Sequence, residues 1–292
     1  METMHRFLLH NDEIRDAGDR ILSPGQVGLM NGWGVFSTLR VYDGVLFAWE
    51  RHWDRMRSDA ARMSVPFPEA SAWVHQRLVR LIEANQAWNA TLRVCIVRNR
   101  GGMFEGPEGP PAFDLIAFTR DVNQWGEGAR LGVVAHARHA ASPFAGAKIL
   151  SWSQNLAMYE RAHADGFDEV VLLNERGEVS ECTSANIFLA QGTRVWTPPL
   201  SSGCLPGVTR AVFLEEIQVP GFEIFEDTVF PSDLEAADEV WITSTTRELL
   251  RVTSVDGLQL NAGHGPIRAR LQDAFQKFVR TYVASRAVGA MK

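Results

Sequence analysis

Short apolar runs and amphipathic stripes alternate along the chain, and their periods define the expected elements. Gly34 to Tyr42 and Leu92 to Arg98 are rich in β-branched and aromatic residues and predict strands. Ser71 to Gln86 places Val74, Leu78, Leu81 and Ile82 at helical spacing, which predicts a helix with one buried stripe. Ala112 to Arg120 reads as a further strand, and the Gly- and Pro-rich stretch from Gly101 to Pro111 reads as a mobile loop. A polar segment, Asp121 to Glu127, marks the domain boundary: an N-terminal domain over residues 1–122, a linker over 123–128 and a C-terminal domain over 129–292.

Beyond the boundary, Ala129 to Ala137 predicts a strand, followed by a helix ending near Gly166. Glu169 to Asn174 is a hydrophobic run, Glu175-Arg-Gly177 a turn, and the next strand runs into Glu181. Pro206 sits where an N1 proline would open a helix from Gly207 to Val219. Ile267, Leu271, Ala274, Phe275 and Phe278 mark a last amphipathic helix after Pro266. There is no internal repeat and no low-complexity segment.

Composition narrows the class. With 292 residues, 46% of them hydrophobic and 22% charged, the chain can bury a large core, and two domains are expected. A formal charge of −6 without a long basic run argues against a nucleic-acid partner. The apolar stretch at Phe7-Leu8-Leu9 is too short for a secretory signal and no later run reaches membrane-spanning length, so the expectation is a cytoplasmic protein with no membrane partner. Cys95, Cys182 and Cys204 stand far apart in odd number, which suits buried thiols in a reducing compartment.

Candidate chemistry begins at Lys148, whose neighbours in Ala145-Gly-Ala-Lys-Ile-Leu150 are small or apolar. Such a lysine is either a snorkelling surface residue or an amine kept neutral by desolvation for carbonyl chemistry. Glu181, taken alone, reads as a carboxylate at a strand end. Leu205-Pro-Gly-Val-Thr-Arg210 is a tight turn feeding a helix, whose free N–H groups attract an anion. His136 and His139 lack a third ligand, so no metal is expected. No G-x-S-x-G elbow is present, and Gly32-Trp-Gly34 opens no dinucleotide-binding helix.

Taken in order, a lysine, a helix, Gly166-Phe-Asp-Glu169, a hairpin with Asn174 before Gly177, and Glu181 followed by Asn186-Ile-Phe188 resemble the class IV aminotransferases, and the Thr197–Arg210 run and Ser254-Val-Asp-Gly257 resemble the branched-chain enzymes in particular. The resemblance implies a two-domain α+β or α/β protein of fold type IV, D-amino acid aminotransferase-like, with a small N-terminal α/β sandwich domain and a larger C-terminal pseudo-barrel domain. It implies pyridoxal 5'-phosphate as cofactor, Lys148 as its Schiff-base lysine and catalytic base, and Glu181 as the carboxylate facing the pyridine nitrogen. Leu205 would pack on the ring, and Val208 and Thr209 would bind the phosphate. Arg55, in a segment resembling the family's H-x-x-R, would fork onto it, while Arg51, Arg57 and Arg62 would be solvated. Ser244 and Thr245, with Thr246 towards the substrate carboxylate, would complete the cup.

Gly32 to Gly44 resembles the family's G-x-G-V-F-E-x-x-R strand, with Ser37 in place of the usual glutamate. Alternation puts Phe36, Thr38, Arg40 and Tyr42 on one face, which the resemblance turns towards the substrate. Arg93 stands where branched-chain enzymes often carry a carboxylate-receiving arginine, with Arg98 and Arg100 as other candidates for a carboxylate clamp. The implied activity is transamination from a branched-chain or hydrophobic amino acid to a 2-oxo acid such as 2-oxoglutarate, by ping-pong turnover in a homodimer. The same scaffold serves D-amino acid and R-selective amine transaminases and aminodeoxychorismate lyases. A silent binding protein is a further alternative, which retention of Lys148 and Glu181 disfavours.

Overall fold

The computed structural model describes residues 4–101, 111–260 and 266–287. Most of the loop predicted between Gly101 and Pro111 lies outside the described residues. The chain forms two compact units that are not consecutive stretches. The first takes the described residues of Met1–Val122, Lys148–Trp152 and Tyr282–Lys292, and the second those of Asn123–Ala147 and Ser153–Thr281.

In the first unit, β1 (Met4–His10), β2 (Glu13–Asp16), α1 (Val27–Asn31), β3 (Gly34–Tyr42), β4 (Val45–Leu46), α2 (Trp49–Arg62), α3 (Ser71–Asn85), β5 (Ala90–Arg98) and β6 (Phe113–Arg120) follow in order. The strands form an antiparallel sheet of order β2-β1-β6-β5-β3-β4. Val35, Leu39 and Val41 of β3 share a core with Leu92, Val94 and Ile96 of β5, with Trp53 and Met56 of α2, and with Val74, Leu78, Leu81 and Ile82 of α3. The predicted stripe of α3 is the one buried. At its end Gln86, in the left-handed region, donates its amide to Glu83 and closes the helix.

The second unit begins with β7 (Ala129–Val134), shorter than the stretch to Ala137 predicted for it, because His136 takes a positive φ and Ala137 and Arg138 turn their amides onto the Leu173 carbonyl. Then come α4 (Ser153–Ala164), β8 (Glu169–Leu173), β9 (Val179–Cys182), β10 (Asn186–Gln191), β11 (Arg194–Thr197), α5 (Val208–Glu215), β12 (Glu223–Glu226), α6 (Pro231–Ala236), β13 (Glu239–Ser244), β14 (Glu248–Val255), β15 (Leu258–Gln259) and α7 (Pro266–Ala287). One curled mixed sheet runs β12-β11-β10-β13-β14-β7-β8-β9, with β15 beside β14. Its parallel contacts are β7 with β14 and with β8, and β11 with β12; β8, Glu169–Leu173, is buried on both faces.

Two sequence expectations shift here. Gly207 is still extended and caps α5, so the first helical residue is Val208 and Pro206 lies before the cap. The helix also ends at Glu215 rather than Val219, where the Glu216 and Ile217 amides both turn onto the Val212 carbonyl. All three cysteines are free and buried, and among the described residues no helix is long and apolar enough to cross a membrane.

Leu81 is fully enclosed where α3 meets the sheet. Leu81→Ala is expected to lower unfolding stability by about 2–5 kcal/mol, read from the denaturant midpoint at unchanged m-value.

Candidate active site

The face of β3 that carries Phe36 and Thr38 gathers the chemistry of the first unit. Lys148 reaches it through an added rung: Ile149 bridges Val35, the Phe36 amide donates to the Lys148 carbonyl at 3.1 Å, and the Leu150 amide donates to Gly34 at 2.9 Å. At Lys148 itself the amide is taken by the Asp59 carboxylate of α2, 3.1 Å away. The ammonium of Lys148 lies 4.6 Å from the centre of the Phe36 ring, and Trp152 meets that ring edge-on at 6.2 Å. Arg93, opposite Thr38 in the β3–β5 register, donates to the threonine hydroxyl at 3.4 Å and sits 4.9 Å from the same ring. Phe36, Thr38, Arg93 and Lys148 are thus brought together.

Arg40 lies further along the strand, donating to the Ala90 carbonyl at 3.1 Å and stacking on Tyr42. Arg98 points to the other side of β5, over the Trp33 ring at 4.0 Å and onto the Ser64 carbonyl. The structure therefore does not bring Arg98 to Arg93, and Arg100 is exposed.

Behind the strand, Ser37 faces inward with Val35, Leu39 and Val41. Arg55 of α2 donates to its hydroxyl at 2.8 Å, and His52, one turn earlier, lies 2.7 Å from the same oxygen through Nδ1. Burial, aided by the positive charges of Arg55 and Lys148, drives the His52 pKa well below its ordinary value. Burial also lowers Arg55 to about 10, against the pull of Asp59, while Asp59 is raised by its own desolvation. Of the other arginines on this helix, Arg57 is exposed beside Asp54, and Arg62 pairs with Asp59 at 3.7 Å.

In the second unit, the hairpin of β8 and β9 delivers Glu181, whose two oxygens are both engaged. One accepts Arg138 Nε at 3.0 Å and the other the Leu205 amide at 3.0 Å. The Leu205 carbonyl receives the Asn186 side-chain amide at 2.9 Å. Two residues on, α5 starts at Gly207 without a side-chain cap, and its first residues Val208 and Thr209 are buried. A Cβ at Gly207 would lie 2.0 Å from Asn186 Oδ1, so this approach of strand and turn requires glycine.

Ser244 ends β13, and Thr245 and Thr246 turn after it, all three half-buried. Arg247 fastens it: its guanidinium donates to the Ser184 hydroxyl at 3.0 Å and to Glu169 at 3.3 Å, and lies over Trp125 at 4.0 Å. Trp125 in turn donates to the Thr246 carbonyl at 2.9 Å. Arg138, Asp59, His52 and Arg247 are absent from the sequence-based candidates. Arg138 meets Glu181, Asp59 the Lys148 amide and Arg247 Glu169 across 43, 89 and 78 residues, which no spacing pattern joins, whereas His52 is the histidine of the H-x-x-R element that also carries Arg55.

A family model for amino-transferase class IV matches residues 34–255. The chain is 30% identical over 275 residues to a putative branched-chain-amino-acid aminotransferase of Methanocaldococcus jannaschii, covering 93% of this chain and 95% of that protein. It is 26% identical over 279 residues to a D-alanine aminotransferase of Bacillus licheniformis, covering 95% and 98% respectively. Among solved structures, the branched-chain amino acid aminotransferase of Escherichia coli superposes with a TM-score of 0.85 at 26% identity, over 94% of this chain and 95% of the other.

His52 gives this site a signature in pH. The unfolded chain protonates this imidazole near the ordinary 6.5 and the folded protein only well below it, so the unfolded state holds more protons in that window and stability falls as pH drops. The melting temperature is expected to fall between about pH 7 and about pH 5, and to fall less in His52→Leu, as followed by circular dichroism.

Proposed function

The chain belongs to the class IV aminotransferases, enzymes of fold type IV, and on that footing we propose a pyridoxal-phosphate-dependent transaminase. It moves an amino group from a branched-chain or other hydrophobic amino acid to a 2-oxo acid such as 2-oxoglutarate, in a ping-pong cycle. The observation that carries this reading is the buried Glu181, both of its oxygens fixed by Arg138 and the Leu205 amide, with the uncapped N-terminus of α5 following on the same turn. An aimed carboxylate and a helix end wanting an anion suit the two ends of a phosphorylated pyridine.

The residues present fit that group. The buried first turn of α5 has no side-chain cap, and Gly207 lets Asn186 close against the turn and hold the Leu205 carbonyl. Val208 and Thr209 would hold the phosphate, together with Arg55, Ser244 and Thr245, while Leu205 would lie against the ring and Lys148 would hold the cofactor covalently. When bound, pyridoxal phosphate supplies an electron sink for the bonds at the donor's α-carbon.

The chain's own residues do the rest. Lys148 Nζ, as a neutral amine, would take the proton from the donor's α-carbon and give it up at the carbon that had carried the cofactor's carbonyl, so both its placement and its lone pair matter. The rung to β3 and the Asp59 contact fix the backbone from which it reaches. Glu181 cannot swing away, because both its oxygens are engaged. Phe36 offers a flat apolar wall for a hydrophobic donor side chain, and Arg93 beside Thr38 offers a carboxylate receptor for the acceptor. Thr246, held by Trp125, lies at a turn suited to the α-carboxylate. We place the enzyme in the cytoplasm as a homodimer, on the family likeness and its free buried thiols.

Purified protein with pyridoxal phosphate is expected to develop a visible absorbance band that bleaches with L-leucine and not with D-alanine or an R-configured arylalkylamine. Lys148→Ala should lack the band. A wild type without one would sink the cofactor assignment, and bleaching by D-alanine alone would move the donor to the other stereochemical series. In steady-state kinetics, Arg93→Met should raise KM for 2-oxoglutarate by about tenfold while leaving that for a monocarboxylate acceptor nearly unchanged.

A further inference from the structure

We propose that Ser37 and His52 form a buried relay that aims the Arg55 guanidinium, and so set the protein's preference for a phosphorylated cofactor over its dephosphorylated form. The inference rests on the reading of Arg55 as a phosphate ligand.

Arg55 can only donate, so the Ser37 oxygen, 2.8 Å from its Nη2, is the acceptor. A hydroxyl that accepts from a cation becomes a better donor of its own proton. His52 Nδ1, 2.7 Å from the same oxygen, is the group placed to receive it. Burial beside Arg55 and Lys148 keeps this imidazole neutral, which leaves Nδ1 its lone pair, and Nε2, buried without a partner, then carries the ring proton. The chain of donation runs from guanidinium to hydroxyl to imidazole and fixes where the Ser37 lone pair points.

Two features make this an aiming device rather than simple packing. His52 and Arg55 stand three residues apart on one face of α2, and Ser37 stands on the inward face of β3, so one helix and one strand set all three groups. The receiving group is also uncharged, so the Ser37 hydroxyl orients the fork without neutralising it. A guanidinium held down to about 10 by burial still gains from an anion.

The test titrates cofactor-free protein with pyridoxal phosphate and, separately, with pyridoxal, reading tryptophan quenching. Ser37→Ala and His52→Leu are each expected to lose about tenfold in the ratio of the two affinities, with pyridoxal binding unchanged. Ser37→Thr, which keeps the hydroxyl, and His52→Asn, whose amide oxygen can still accept, should retain the ratio. Arg55→Met should lose at least as much as Ser37→Ala. If Arg55→Met lowers the ratio while Ser37→Ala and His52→Leu do not, the relay is wrong and Arg55 keeps its role. An equal fall in both affinities in Ser37→Ala would reduce the relay to packing and overturn it. If Arg55→Met leaves the ratio intact, the phosphate assignment falls and the relay with it.

Discussion

The candidate chemistry of the first unit hangs on one backbone bridge, Ile149 against Val35. A lysine on a free loop would sweep a large volume, and ordering it at the moment of reaction would cost entropy. Two ladder hydrogen bonds and the Asp59 carboxylate fix that entropy in advance, at the folding step. The bridge also decides what surrounds the amine, because it adds Lys148 to the edge of a strand whose outward residues are Phe36 and Thr38. The aromatic wall, the Arg93 hydroxyl contact and the lysine share one face for that reason.

Charge is managed differently in the two units. In the second, Glu181 with Arg138 and Glu169 with Arg247 are oppositely charged pairs drawn from segments far apart in the chain, and each pins a turn. Their value lies in geometry more than in net stability, since desolvation offsets much of the attraction. In the first, α2 carries a neutral imidazole, a cation and a carboxylate in succession along one face, at His52, Arg55 and Asp59. That face is polar yet packed, a combination tolerated where each group has a partner or awaits one.

The fold was legible in the sequence where an element buries a long unbroken pattern. β3, β5, β6 and α3 each carry enough apolar residues in one period to be read directly, and Lys148, Glu181 and the Leu205–Arg210 turn stand out by their order. The β1–β2 hairpin was not legible: Leu8 and Leu9 are both buried in succession, which breaks the alternation that marks a half-buried strand. The supports of the site were hidden for another reason. Arg138 meets Glu181 across 43 residues and Asp59 meets the Lys148 amide across 89. Only tertiary structure brings such pairs together, and no local period encodes them. Arg93 and Arg98 look alike in the sequence, and the parity of β5 alone sends them to opposite sides.

The returning segments of the first unit bear on how the protein is made. Its sheet and two long helices are encoded before residue 123, yet the rung on β3 waits for Lys148–Trp152, and the Glu50 carboxylate of α2 waits for Tyr282 and Arg286, more than 230 residues later. During synthesis a nascent chain can collapse the early sheet but cannot finish it until residue 286 has left the ribosome. Through that interval the face shared by Phe36 of β3 and Arg93 of β5 lacks its later neighbours Lys148 and Trp152. A cell producing this enzyme therefore has a reason to shield the growing chain, and a truncated transcript would yield a unit that is born incomplete rather than a working half.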